Sequence, residues 1–146
     1  RYSAFCLNDT HYLNMTSTEV GGALSEFNTK NLNSVGAGNY KREVIFKQGM
    51  FSYSVDELIE NYGFEVPDYI KIDVDSIEDR IIYGADKTLS NSKVKGVFLE
   101  LDETEERTQK MIDFLTEKSF ILIDKRHSDM FDGGDYSTVY NYIFAK

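Results

Sequence analysis

Apolar and polar residues alternate through Tyr69-Ile70-Lys71-Ile72-Asp73-Val74-Asp75-Ser76, and a period of two predicts a β-strand. The run is short and rich in β-branched residues, which favours strand over buried helix. The period then changes. Ile77, Ile81, Ala85 and Leu89 recur every fourth residue and Ile82 widens the stripe, so a helix follows. Ser76 with Asp79 supplies a capping-box-like start for it. A strand thus ends in two carboxylates, Asp73 and Asp75, where a helix begins. Ligands of open α/β sheets bind outside the carboxyl ends of the strands, so chemistry is expected here first.

The rest of the chain extends the same plan. Arg1 to Leu7 and His11 to Thr16 have strand periodicity on either side of the turn Asn8-Asp9-Thr10, predicting a hairpin. Residues 17–39 are rich in Gly, Ser, Thr and Asn and are expected to be a flexible loop, with Gly21-Gly22 and Gly36-Ala37-Gly38-Asn39 its most pliable points. Glu43 to Lys47 is a further strand candidate. Ser54-Val55-Asp56-Glu57 is a capping box leading to an apolar face of Leu58, Ile59 and Tyr62; Gly63 closes that helix and Pro67 forbids its continuation. After the central strand and helix, Lys93 to Asp102 is a strand with a near-continuous apolar run, suited to cover on both faces. Asp102 with Glu105 predicts the cap of a helix whose apolar face is Met111, Ile112, Phe114 and Leu115. Phe120 to Asp124 is a strand, Lys125 to Tyr136 a polar loop, and Thr138 to Phe144 the last strand.

Strands alternating with helices imply right-handed crossovers and a mostly parallel α/β sheet. No helix separates the last two strands. The final one must pair antiparallel at an edge or insert beside its predecessor.

A chain of 146 residues fits one domain. Its formal charge of −9 argues against nucleic acid or an anionic membrane as partner. No stretch reaches the roughly eighteen apolar residues of a membrane span. Cys6 is the only cysteine, which precludes an internal disulfide and fits a reducing, cytoplasmic setting. No leader sequence is visible, and the chain opens at Arg1 directly in strand-like sequence, as a piece of a longer protein would. Nothing in the residues fixes an oligomeric state.

Four pieces of the chain together resemble the FkbM family of S-adenosylmethionine-dependent methyltransferases. That family runs from a TLDxL helix start to a D-x-I-K-I-D-V-E-G-x-E strand and turn, then V-L-x-G-A, then a strand closing in Glu. Here the pieces read Ser54-Val55-Asp56-Glu57-Leu58, Asp68 through Glu78, Ile81-Ile82-Tyr83-Gly84-Ala85 and Val97-Phe98-Leu99-Glu100. Order and spacing agree across about half the chain, and the combination is specific where one fragment would be weak. The resemblance implies a Rossmann-like class I methyltransferase fold, partial here, with helices on both faces and an antiparallel C-terminal strand. It implies S-adenosylmethionine as cofactor and a hydroxyl of a sugar or other small metabolite as methyl acceptor. Arg1 to Leu7 then corresponds to the third strand of that fold. Cys6, Leu7 and Asp9, in the turn that follows, would flank the cofactor's adenine, with Asp73 as a further cofactor contact.

Two departures stand out. The family's Glu-Gly is Asp75-Ser76, a carboxylate one methylene shorter and a turn without its glycine. The glycine-rich first strand-to-helix turn and the acidic end of the second strand are absent, and on this correspondence the first two strands lie upstream of Arg1. Gly36-Ala37-Gly38 is no substitute, since no apolar strand precedes it and no helix follows.

Methyl transfer from a sulfonium to a hydroxyl needs the oxygen aligned and its proton removed, a task for a carboxylate within hydrogen-bond reach. Asp73 is the first candidate base; Asp75 and Glu100 could hold the hydroxyl, share the base role, or join Asp73 around a divalent cation such as magnesium or manganese, although no metal ligand set is assigned. Each acid has a structural reading beside the functional one. Asp75 suits a helix start, Lys71 points the same way as Asp73 and could pair with it, and Glu78 complements a helix dipole. His127 follows a strand that should end on the same side as Asp73, which makes it a substrate-contact candidate against the alternative of an idle surface histidine. His11, in a hairpin, is weaker still, and two histidines so separated make a poor zinc site. The departures keep a second function open: a catalytically degenerate methyltransferase-like module for binding or assembly.

Overall fold

The structure is a computed structural model that describes residues 11–20, 25–28, 32–35, 41–74, 77–127, 134 and 136–146. The expected strand Arg1 to Leu7, the Ser76 cap and the glycine pairs at 21–22 and 36–38 lie outside these residues. The described chain divides into two compact units, one containing residues 11–53 and one formed by Ser54–Val74 with Glu78–Lys146.

In the first unit, β1 (His11–Met15) is the middle strand of an antiparallel sheet between β2 (Glu26–Asn28) and β5 (Phe46–Met50). A short ladder joins β3 (Ser34–Val35) to β4 (Arg42–Glu43). Two strands therefore lie inside the stretch expected to be loop, and the single candidate Glu43 to Lys47 is divided between β4 and β5. The cause is polar. Asn14 is fully buried on β1, its Oδ1 accepts the Leu32 N–H at 3.1 Å, and its Nδ2 donates toward the Glu26 carbonyl at 3.4 Å. A buried amide must find such partners, and here it gathers chain that has no apolar period. His11 is buried as well, stacked on Phe27 with ring centroids 5.0 Å apart and with Nδ1 3.1 Å from Ser52 Oγ, so it packs rather than contacts solvent.

The second unit begins with α1 (Val55–Tyr62). The Ser54 hydroxyl accepts from the Glu57 N–H, the Glu57 carboxylate accepts from the Ser54 N–H, and Gly63 turns the end of the helix at φ 71°. Only glycine takes that left-handed conformation without strain. A four-stranded sheet follows, built from β6 (Tyr69–Ile72), β7 (Gly96–Asp102), β8 (Ile121–Arg126) and β9 (Val139–Ala145) in the order β6-β7-β9-β8. β6 and β7 are parallel, and β9 runs antiparallel to both its neighbours. The final strand thus inserts beside its predecessor, one of the two arrangements the missing helix allowed.

The helical stretch after β6 is two helices, α2 (Glu78–Tyr83) and α3 (Asp86–Ser90), where the four-residue period predicts one. Asp56, in the first turn of α1, accepts the N–H groups of Lys87 and Thr88 and the Thr88 hydroxyl, ending one helix and starting the next. Asp102 does not cap α4 (Glu106–Glu117): Glu105 holds the cap position without a side-chain capping bond, and the Asp102 carboxylate instead accepts from the N–H and hydroxyl of Thr104. The capping-box spacing of Asp102 and Glu105 belongs to a tight turn.

One core cluster joins the sheet to the helices. Ile72, Val97, Leu99, Leu101, Tyr142 and Phe144 point to one face and meet Ile82 of α2, Leu89 of α3 and Met111 and Leu115 of α4, with Val55 of α1 at its margin. Among the described residues the helices cover that face alone, a correction to the expected cover on both. The connections explain it: β6 to β7 and β7 to β8 progress in the same direction across the sheet, so two right-handed crossovers lay their helices on the same side. The other face carries Tyr69, Ile121 and Ile123, exposed at 71%, 69% and 62%. Among the described residues no helix is long and apolar enough to cross a membrane.

Candidate functional site

The ladder between β6 and β7 ends on the pair Ile72 and Leu99. The next residue on each strand is an acid. Asp73 therefore lies just past the end of β6 and Glu100 two residues before the end of β7, on neighbouring parallel strands spaced about 4.8 Å apart near the carboxyl edge of the sheet. Alternation turns Ile72 and Leu99 into the core and turns Lys71, Asp73, Phe98 and Glu100 to the opposite face.

Lys71 completes this group. Its Nζ lies 2.8 Å from Asp73 Oδ2, both side chains remaining about half exposed, and 5.7 Å from the centre of the Phe98 ring. The Asp73 hydrogen bond, then the Asp73 charge, raise the lysine above its ordinary range against a small cost of burial, and Glu100 adds to them. The lysine is a cation paired with Asp73, its charge also favoured by Glu100. The pairing that strand alternation allowed is the one present.

Farther along β7 the acids serve structure. Burial pushes Asp102 upward, yet the N–H and hydroxyl of Thr104, with Thr138 and Arg107, outweigh it and hold the carboxyl below its usual range. Glu103 accepts from Lys125 and from the Tyr142 hydroxyl, and Lys125 lies over the Tyr140 ring at 4.2 Å. That ties the ends of β7, β8 and β9 together.

His127 follows Arg126 of β8 and so lies at the same end of the sheet as Asp73, as strand direction predicts. Its Nδ1–H donates to the Val139 carbonyl at 2.9 Å and its ring tilts against Tyr140 at 4.7 Å. With β9 inserted, its strand stands three places from that of Asp73, roughly 14 Å at the usual spacing. The fold brings Asp73 and Glu100 together and leaves His127 apart from them.

Cys6, Leu7, Asp9 and Asp75 lie outside the described residues. Among the described residues no group of three or more His, Cys, Asp or Glu side chains converges as metal ligands would.

Sequence reasoning missed Arg107. It sits in the first turn of α4, and its guanidinium pairs with Glu78 at 3.2 Å, with Asp79 at 3.4 Å and with Glu105. Glu78, expected to complement the helix dipole, is 6% exposed. No spacing signals the contact with Glu78 and Asp79, because Asp79 lies 28 residues from Arg107.

A family model described as the methyltransferase FkbM domain matches residues 5–122. No curated protein and no solved structure matches the chain.

Proposed function

Because the chain belongs to the FkbM methyltransferase family, we propose that it takes part in S-adenosylmethionine-dependent O-methylation of a sugar or other small hydroxylated metabolite, with Asp73 as the base. The observation that carries this reading is the placement of Asp73 beside Glu100 at the carboxyl edge of adjacent parallel strands, half exposed and open to a ligand. The reading includes a Rossmann-like class I methyltransferase fold for the domain. The order β6-β7-β9-β8, with only β9 reversed, supports it.

S-adenosylmethionine would supply an electrophilic methyl group. A half-exposed carboxylate at a strand end suits a polar, partly cationic cofactor, and Asp73 is the described residue that fits; Cys6, Leu7 and Asp9 are proposed for its adenine end. The chain's own part is orientation and proton removal. Lys71 engages Oδ2 of Asp73, and the carboxylate would accept the hydrogen bond of the acceptor's hydroxyl and take up its proton. Glu100, one strand over, can accept from a neighbouring hydroxyl and set the angle of approach. Asp75 and His127 are proposed as outer contacts to the acceptor.

Asp73→Asn in the full-length protein tests this. The amide keeps the shape and loses the base, so turnover should fall by about 10²-fold or more with folding intact. Undiminished methyl transfer would remove Asp73 from the mechanism.

The Lys71–Asp73 pair also favours a second reading, in which the acid is structural and the domain is a degenerate module for binding or assembly. Calorimetric titration with S-adenosylmethionine separates the two: saturable binding by the full-length protein supports the enzyme, and silence from a folded protein supports the module.

A further inference from the structure

The amino ends of two helices meet at one side chain. Arg107 is the second residue of α4, and Glu78 and Asp79, which it pairs with, are the first two residues of α2. The Glu78 side chain is 8% exposed and that of Arg107 27%. Desolvating such charges costs much of what their attraction returns, so the pair is a weak source of net stability and a strong geometric constraint. The planar guanidinium, engaged with several carboxylates at once, has little freedom to rotate.

Both helices begin just beyond the strands that carry the candidate acids. Glu78 starts α2 five residues after Asp73, at the end of β6. The start of α4 is fastened to the end of β7, where the buried Thr108 hydroxyl donates to the Asp102 carbonyl at 2.6 Å and the Thr108 N–H bonds the Glu105 carbonyl. The described contacts therefore run from the end of β7 through Thr108 and Arg107 to Glu78, five residues beyond Asp73 in sequence.

We infer that Arg107 is a positioning residue: by clamping the amino ends of α2 and α4 together it fixes the spacing of Asp73 and Glu100. The role rests on the methyltransferase reading, but the clamp has a readout of its own.

Three variants of the full-length protein test it: Arg107→Met removes the fork, Glu78→Gln keeps shape and packing while cancelling the buried charge, and Arg107→Lys restores a cation without the fork. Hydrogen exchange followed by mass spectrometry should show peptides covering 70–83 opening about tenfold faster in Arg107→Met and Glu78→Gln, with β8 and β9 as protected as before. Turnover should fall about tenfold or more, while the KM for S-adenosylmethionine changes by less than about threefold. Arg107→Lys should recover part of both losses.

Unchanged exchange over 70–83 would overturn the clamp. Faster exchange spread equally over β8 and β9 would also overturn it, since the pair would then support general stability. Local opening with full turnover would refute the positioning role. If the unaltered full-length protein transfers no methyl group, the functional reading fails, and the exchange comparison still decides whether Arg107 holds the end of β6.

Discussion

Lys71 Nζ lies 2.8 Å from Asp73 Oδ2, two residues on and just past the end of β6, with Glu100 on the neighbouring strand. An ion pair this exposed contributes little to folding, typically under about 1 kcal/mol, because solvent screens it and two long side chains must be held still. Its consequence should appear in turnover. Lys71→Met is expected to leave the unfolding midpoint nearly unmoved and to lower turnover about tenfold by releasing the Asp73 carboxylate. The coupling is the sharper measurement. If the lysine acts through the acid, adding Lys71→Met to Asp73→Asn should cost almost nothing further. Additive losses would mean that Lys71 has a separate task.

Much of this edge is legible in the sequence, for a physical reason. The period of β6, the near-continuous apolar run of β7, the Ser54–Glu57 capping box and the Gly63 turn are all local, and each appears, although β6 stops at Ile72, before the two acids expected to end it, and β7 begins at Gly96 rather than Lys93. Acids next in line after paired residues of consecutive parallel strands lie close together, so the neighbourhood of Asp73 and Glu100 followed from those patterns. What stayed hidden was long-range and polar. Asn14 recruits β2 and neighbouring chain through amide bonds that leave no apolar period. The break between α2 and α3 depends on Asp56, more than thirty residues away. The distance of His127 from Asp73 depends on β9 inserting between β7 and β8, a choice of pairing partner that no local pattern encodes.

A pH experiment follows from Glu103. Its hydrogen bond from Lys125, and next that from Tyr142, hold its carboxyl below the usual range. Burial first, then the bond to Glu103, push Tyr142 above the ordinary tyrosine range. The signs are opposite. The Glu103 contribution is present above its unfolded pKa and is lost as pH falls through the lower folded value. That of Tyr142 is complete below its unfolded pKa of about 10 and is lost as pH rises through the higher folded value. Unfolding free energies for the native chain and Tyr142→Phe, measured from pH 3 to 11, should differ by a constant amount through neutrality. The gap should shrink above about pH 10. A gap that widened there would mean the phenolate, not the phenol, is the form the fold prefers.

The Asp56 carboxylate, bonded at 2.8 and 2.6 Å to the N–H and hydroxyl of Thr88 and at 2.9 Å to the N–H of Lys87, makes a prediction about stability alone. Two of these donors are backbone groups at the open end of α3, which has no cap of its own, since Ala85 holds that position. Removing the acceptor leaves them without it, that of Thr88 in a partly buried place. Asp56→Ala should therefore cost about 2 kcal/mol, the upper part of the range for a lost helix cap. Thr88→Val removes only the hydroxyl bond and should cost about 1 kcal/mol. Because the two changes delete a shared bond, the double variant should fall short of their sum by several tenths of a kcal/mol. Urea denaturation of the four proteins supplies the cycle. Strict additivity would detach Asp56 from Thr88, and with it the explanation for why one apolar stripe yields two helices.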